Sequence, residues 1–87
     1  LVYSKLDEKN FVFEGKTALK DFYRVIDIED ESIFEDNKGE SETIAGFVLE
    51  IAGSFPKKGE NIVFNNITFK IEALDKKRIK QIKVTLH

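Results

Sequence analysis

Two segments of the chain carry apolar side chains at helical spacing, and the first covers residues 19–26. Its apolar residues fall at positions i, i+3, i+4 and i+7. They are Leu19, Phe22, Tyr23 and Ile26. Thr17 precedes them at a position where a hydroxyl oxygen can cap the first turn. A nucleophilic role is the alternative for Thr17, but no general base lies near it in the sequence. We therefore predict an amphipathic helix capped by Thr17.

The second helical segment, residues 43–52, is apolar around much of its circumference. The same spacing recurs in Ile44, Phe47, Val48 and Ile51. Glu50 is the only charged residue inside it, so we expect burial on more than one side. Ser41 or Thr43 is expected to cap its start. Gly46 costs a helix about 1 kcal/mol relative to Ala, and we expect close approach of another backbone to be the reason for it.

A helix stop and a turn follow the second predicted helix. Gly53 stands where helices commonly end on a left-handed residue, and Pro56 prevents the helix from resuming. Residues 57–60 then form a turn toward a strand.

Alternating apolar and polar residues predict a hairpin in the C-terminal half. Residues 62–64 and 67–74 have strand patterns, and Asn65 and Asn66 between them tolerate the positive φ of a two-residue turn. In residues 67–74 every second side chain is apolar through Ala73, so one face of the sheet is expected to be solvated.

Further strands are predicted at both ends of the chain. Residues 10–14 form one, and residues 2–6 are either a short strand or a flexible leading segment. In residues 78–86, Ile79 is out of phase with the later apolar positions. Either a bulge near residues 80–81 restores the phase, or Ile79 packs on the opposite face. The predicted class is α+β, with two helices packed on a small, mainly antiparallel sheet.

Composition narrows the classes of function. The 87 residues include no Cys, which excludes a disulfide framework and a thiolate zinc site. The single His is His87, the last residue of the sequence, so we expect no His-based catalytic triad. No apolar run approaches the ~20 residues of a membrane-spanning helix, so we expect no direct membrane insertion. We expect one domain, residues 1–87. Because the chain begins with Leu1 rather than Met, we expect it to be part of a longer protein.

Acidic side chains are concentrated in residues 27–42, which we interpret as an exposed loop containing a turn of helix. Carboxylates are the ligands that Mg²⁺ and Ca²⁺ prefer. The candidate ligands are Asp27, Glu29, Asp30, Glu31, Glu35 and Asp36. An EF-hand does not fit, because Ser32 and Lys38 stand where Gly and Glu are needed. The two open interpretations are a weak divalent-cation site and a solvated acidic loop.

The C-terminal third is basic by contrast, and aromatic and aliphatic residues separate its cations. This pattern can mark a nucleic-acid surface. However, the interleaved apolar residues share one strand face and suit a core, and the sequence pI of 5.4 opposes binding to a polyanion. We expect no nucleic-acid partner.

Four motifs occur in order: a strand ending in Gly, T-x-A-G at the second helix, G-x-hydrophobic-P-x-x-G-E after it, and a basic-Ile element at residues 77–79. Their defining residues are Gly15, Thr43, Ala45, Gly46, Gly53, Pro56, Gly59 and Glu60. From Asn10 onward the chain resembles the transporter-associated domain, or CorC/HlyC C-terminal domain, of CBS-pair proteins. The departures are Phe55 in place of the more usual Ile and a long acidic loop.

The resemblance implies a non-catalytic, cytoplasmic accessory domain, the C-terminal part of a hemolysin-like or magnesium/cobalt efflux-associated membrane protein. Its partners would be the CBS pair and membrane regions of the same polypeptide, or a second copy in a homodimer. The fold is similar to a subdomain of flavin-binding proteins, but fold analogy places no flavin site. We therefore assign no cofactor beyond the weak divalent cation. The alternatives are a module that senses a small ligand or cation through residues 27–42, and an independent enzyme.

Overall fold

Three helices pack on a five-stranded antiparallel sheet in the computed structural model, which describes residues 2–87. The strands are β1 (Tyr3–Lys5), β2 (Asn10–Glu14), β3 (Asn61–Phe64), β4 (Ile67–Leu74) and β5 (Ile79–Leu86). The helices are α1 (Leu19–Ile26), α2 (Ser32–Glu35) and α3 (Ile44–Ala52). The strand order is β1-β2-β5-β4-β3, so β5 at the end of the chain lies in the middle of the sheet. No helix within residues 2–87 is both long and apolar enough to cross a membrane.

The predicted α+β class is confirmed. Of the two possibilities for residues 2–6, the short strand is the one formed, as the edge strand β1, and the turn of helix expected in the acidic segment is the short helix α2. The predicted hairpin is also confirmed. Asn65 and Asn66 have φ values of 48° and 67°. A two-residue turn that matches the twist of the flanking strands requires a positive φ at both positions.

α3 follows its local sequence signals closely. Of the two candidate caps, Thr43 is the one used, because its Oγ1 accepts the Gly46 N–H at 3.1 Å. Gly53, with φ of 76°, ends the helix, and its N–H donates to the Leu49 carbonyl. The two ends of α3 are thus where the sequence predicted them.

The prediction that Thr17 caps α1 is wrong. The N-cap is Ala18, and no side-chain hydrogen bond caps this helix. Ala18 forms an isolated antiparallel bridge with Thr43, and the Thr17 carbonyl accepts the Ile44 N–H at 3.0 Å. Residues 17–18 are therefore held by backbone bonds to the start of α3, which fixes where α1 begins.

Ile79 reaches the core through a bulge, as one of the two readings of the sequence proposed. Gln81 pairs with Ala73 and Ile79 with Leu74, so Lys80 is an extra residue on β5. Ile79, Ile82 and Val84 are all buried in the same core. The carbonyls of residues 79–80, beside this bulge, lie close to the end of β2.

Phe34 of α2 lies in the middle of the aromatic core. Its ring centroid is 5.0–5.8 Å from those of four other rings. These belong to Phe22, Tyr23, Phe47 and Phe64. The acidic segment is therefore fixed to the core by one buried side chain.

Candidate functional site at the motif residues

Gly15 joins three elements through its backbone. Its N–H donates to the Lys80 carbonyl at 2.8 Å, and its carbonyl accepts the Ala45 N–H at 3.0 Å. A Cβ at Gly15 would lie 2.1 Å from the Ile79 carbonyl oxygen, a distance that no side chain can tolerate. Gly15 therefore allows the end of β2, the β5 bulge and the first turn of α3 to meet.

Gly46 does not have the role that the sequence suggested. A Cβ there would first meet side-chain atoms of Ser41 and Thr43, at 3.2–3.3 Å. The expectation of a close backbone contact at Gly46 is wrong, and that contact occurs at Gly15 instead. The reason is that Ser41 and the capping Thr43 lie over the first turn of α3.

A groove of about 590 Å³ opens over the Gly15 junction. Its apolar lining comes from Gly15, Ala45, Gly46, Leu49 and Ile79. Its polar lining comes from Glu14, Lys16, Thr43, Lys77, Arg78 and Lys80. The groove thus has an apolar floor and a rim with four cations and one carboxylate. Below, we call it the basic groove.

The rim cations differ in their partners. The Lys16 ammonium lies 3.4 Å from the Glu14 carboxylate. Lys77, Arg78 and Lys80 take part in no ion pair within residues 2–87. Three side-chain cations of the rim are therefore available to a ligand.

Asp75 fixes the backbone of the turn that carries two of these cations. Its carboxylate accepts the N–H groups of Lys77 at 2.9 Å and Arg78 at 2.8 Å. These bonds, that from Lys77 first, lower the pKa of Asp75. The turn between β4 and β5 is therefore closed by a charged acceptor.

The second glycine-rich motif has a structural role. Gly59, with φ of 86°, donates its N–H to the Ile71 carbonyl at 2.7 Å. Ile71 in turn donates to the Glu60 carbonyl, and the Glu60 carboxylate accepts the Lys57 N–H at 3.0 Å. Pro56 is buried in the same turn. These contacts attach the turn to β4.

The six candidate metal ligands are spread over residues 27–36. Asp27, with φ of 57°, ends α1, and Asp36 follows α2. Asp30 accepts hydrogen bonds from Ser32, whose side chain and backbone N–H lower the pKa of Asp30. Glu29 and Asp30 line a second groove of about 270 Å³.

The other two acidic candidates, Glu31 and Glu35, are engaged by protein donors. The Lys20 ammonium lies 3.9 Å from Glu31 and 3.8 Å from Glu35. Glu35 also accepts the Tyr23 hydroxyl at 2.7 Å. Burial, followed by this bond, raises the pKa of Tyr23. Across residues 2–87 the structure brings no three acidic or His side chains into an arrangement that could hold a metal ion.

The chain belongs to the CorC_HlyC family of transporter-associated domains, whose family model matches residues 4–87. It is 32% identical over 79 residues to the polyamine export protein of Salmonella typhimurium, a match that covers 91% of this chain and 17% of that protein. It is 30% identical over 82 residues to the magnesium and cobalt efflux protein CorC of Pasteurella multocida, covering 94% of this chain and 25% of that protein. The chain thus spans a quarter or less of these relatives.

A solved structure shows the same fold. The transporter-associated domain of a CBS domain protein from Porphyromonas gingivalis is 31% identical and superposes with a TM-score of 0.86, covering 99% of this chain and 98% of that one. The resemblance read from the motifs is therefore confirmed at the level of family and fold.

Proposed function

We propose that this chain is a non-catalytic accessory domain of a CBS-domain, hemolysin-like or magnesium/cobalt efflux-associated membrane protein. It acts on the cytoplasmic side through contacts with its own polypeptide or with a second copy. The observation that carries the proposal is the family match over residues 4–87 together with the small share of each relative that the domain represents.

The names of the relatives support an accessory role. One relative is named for polyamine export and another for magnesium and cobalt efflux, yet the chain is 32% and 30% identical to them. A domain that selected the exported ion or molecule would be expected to be more similar in sequence to one of these two relatives than to the other. Nearly equal similarity favours a function that both kinds of protein need.

The edge strand β1 offers a surface for association. Val2, Tyr3 and Leu6, at or beside this strand, expose 63%, 42% and 56% of their surface. β1 pairs with β2 on one side only, and an edge strand with free backbone groups can add a strand from another chain.

The complete polypeptide that contains residues 1–87 provides the main test. We expect its sequence to encode a CBS pair and membrane-spanning segments. We also expect that deleting residues 4–87 changes the rate of cation export while the amount of protein in the membrane stays the same. A complete sequence with neither region would overturn the proposal.

Sedimentation of the isolated chain tests self-association separately. We expect the mass to rise above 10.0 kDa with concentration, and Leu6→Lys to keep the chain monomeric. Val63→Lys is the matched control, because Val63 is 69% exposed on the opposite edge strand, β3. A chain that is monomeric at every concentration would leave contacts within its own polypeptide as the mode of action.

Divalent-cation sensing is a second candidate, favoured by the carboxylates of residues 27–36 and by the small groove beside Glu29 and Asp30. A cation would have to recruit carboxylates that now accept protein donors. Magnesium, calcium and cobalt titrations followed by amide shifts test it. Localised shifts in residues 27–36 at millimolar metal are expected, and uniform small shifts would dismiss the candidate.

A further inference from the structure

We propose that the basic groove binds a small organic anion, a phosphate or carboxylate carried on a compact apolar body. The groove lies over Gly15 and the first turn of α3. This site is independent of how the domain contacts its neighbours, so its test does not depend on the proposed function.

The charge of the rim selects for an anion. The whole chain has a formal net charge of −2, yet the groove has four cations and one carboxylate, Glu14. Glu14 pairs with Lys16. Lys77, Arg78 and Lys80 have no ion pair in the described part of the chain, although the charge of Asp75 acts on Lys80 and Arg78 from beyond ion-pair distance. A guanidinium group binds phosphate or carboxylate oxygens through two parallel hydrogen bonds, so Arg78 is the expected main contact.

The start of α3 cannot bind the anion through its backbone. The N–H groups of Ile44 and Ala45 donate to the carbonyls of Thr17 and Gly15, each at 3.0 Å. That of Gly46 donates to the Thr43 hydroxyl, and the next N–H along the helix donates to the Thr43 carbonyl. Since these donors are used within the protein, the rim side chains must supply the recognition.

The floor of the groove selects for an apolar body. Ala45, Leu49 and Ile79 line it, and the two glycines add no polar side chain. The volume of about 590 Å³ lies within the range of roughly 300–1,000 Å³ typical of small-molecule sites. Inorganic phosphate alone would leave this apolar surface uncovered, so an anion with an aromatic or aliphatic body is expected to bind more tightly.

Two features hold the groove in place before a ligand arrives. Asp75 fixes the backbone of Lys77 and Arg78 through hydrogen bonds at 2.9 and 2.8 Å. On the other side, Gly15 ties the β5 bulge to α3. A site whose backbone is already positioned loses less conformational freedom on binding.

Amide-resolved titrations of the chain test the proposal with four probes: 2-naphthyl phosphate, 2-naphthoate, 2-naphthol and inorganic phosphate. The isolated chain is suitable, because the Porphyromonas gingivalis domain was solved as a chain of nearly the same extent. We expect at least one naphthyl anion to shift the amides of Gly15, Gly46 and Arg78, and to bind about tenfold or more tightly than phosphate. The naphthyl anion that binds better identifies the head group.

Naphthol should bind far more weakly than the better naphthyl anion, because it keeps the apolar body but has no charge at neutral pH. Binding of naphthol as tight as that of the anions would overturn the proposal. Absence of localised shifts with both naphthyl anions at millimolar concentration would also overturn it.

Charge-removing variants distinguish direct contact with the ligand from a general effect of the net charge of the protein. Lys77→Gln with Arg78→Gln should weaken binding of the naphthyl anion about tenfold or more. The matched control is Lys58→Gln with Lys76→Gln, which removes the same charge from exposed residues that do not line the groove. Equal losses in the two double variants would overturn the assignment of the site.

Leu49→Ala tests the apolar floor. It should weaken binding of the naphthyl anion and leave the affinity for inorganic phosphate unchanged. If the Lys77 and Arg78 double variant loses amide dispersion, Lys80→Gln replaces it, because Lys80 is the remaining rim cation without an ion pair in the described part of the chain. Unchanged naphthyl affinity in a folded rim variant would contradict the proposal.

Discussion

Gly15 occupies a position where three elements share one backbone. Its two hydrogen bonds connect β2 to the β5 bulge and to α3, and the space for a Cβ is taken by the Ile79 carbonyl. A methyl group there must push β5 away from β2 or break the bond to Ala45.

Gly15→Ala is expected to destabilise the chain by about 1–3 kcal/mol, as overpacking against a fixed backbone does. Urea denaturation would measure the free energy of unfolding. Gly46→Ala is the control, since its Cβ would meet side chains at 3.2–3.3 Å and the helix would gain about 1 kcal/mol of propensity. Equal destabilisation by both variants would contradict the assignment of the close contact to Gly15.

The Asp75 carboxylate makes the stability of the chain depend on pH. The pKa of Asp75 in the folded chain is lower than its ordinary value of 3.8, because its carboxylate accepts the N–H groups of Lys77 and Arg78. The resulting stabilisation is fully present above pH 3.8 and is lost as the pH falls through the folded pKa. Amide shifts of Lys77 and Arg78 should titrate with a midpoint below 3.8. Asp75→Asn should abolish that titration, and a midpoint above 3.8 would contradict the prediction.

At the scale of elements, α3 and α1 begin in different ways. α3 starts at a side-chain cap, with the Thr43 hydroxyl bonded to Gly46. α1 starts where the backbone of residues 17–18 joins the beginning of α3. The start of α1 therefore depends on a tertiary contact, whereas the start of α3 combines the same contact with a side-chain cap.

Thr43→Val should therefore cost about 1 kcal/mol, within the range of 0.5–2 found for lost caps. Thr17→Val, which also replaces a hydroxyl by a methyl group, should change the free energy of unfolding by less, because no side-chain bond caps α1. Chemical denaturation of both variants decides the matter. A larger loss for Thr17→Val would show that the Thr17 hydroxyl stabilises the fold in a way that the backbone contacts do not explain.

The same contrast explains how much of the fold the sequence could predict. Local signals sufficed for Thr43, Gly53 and the Asn65-Asn66 turn, because each acts within a few residues. They failed at Thr17 and at Gly46, where the deciding contacts come from residues of another segment or from side chains folded back over the helix.

At the scale of the whole molecule, the sequence contained most residues of the basic groove as separate motifs but could not predict that they meet. Its floor combines Gly15, Ala45 and Ile79, which only the pairing of β2 with β5 and the docking of α3 bring together. The available signal was the basic-Ile element at residues 77–79, but nothing in the sequence indicates which surface it faces. The metal site remains a prediction based on six acidic residues, which the structure spreads along residues 27–36.

The aromatic core makes the acidic segment part of the cooperative unit of the fold. Phe34 is 1% exposed, and its ring contacts aromatic residues of α1, α3 and β3. We expect Phe34→Ala to cost about 3–5 kcal/mol, a large part of the 5–15 kcal/mol that stabilises a typical domain. Phe55→Ala is the matched control. Because Phe55 is 42% exposed, this substitution should lower the free energy of unfolding far less. If Phe34→Ala lost no more than Phe55→Ala in urea denaturation, the acidic segment would be an appendage that folds and moves independently of the sheet.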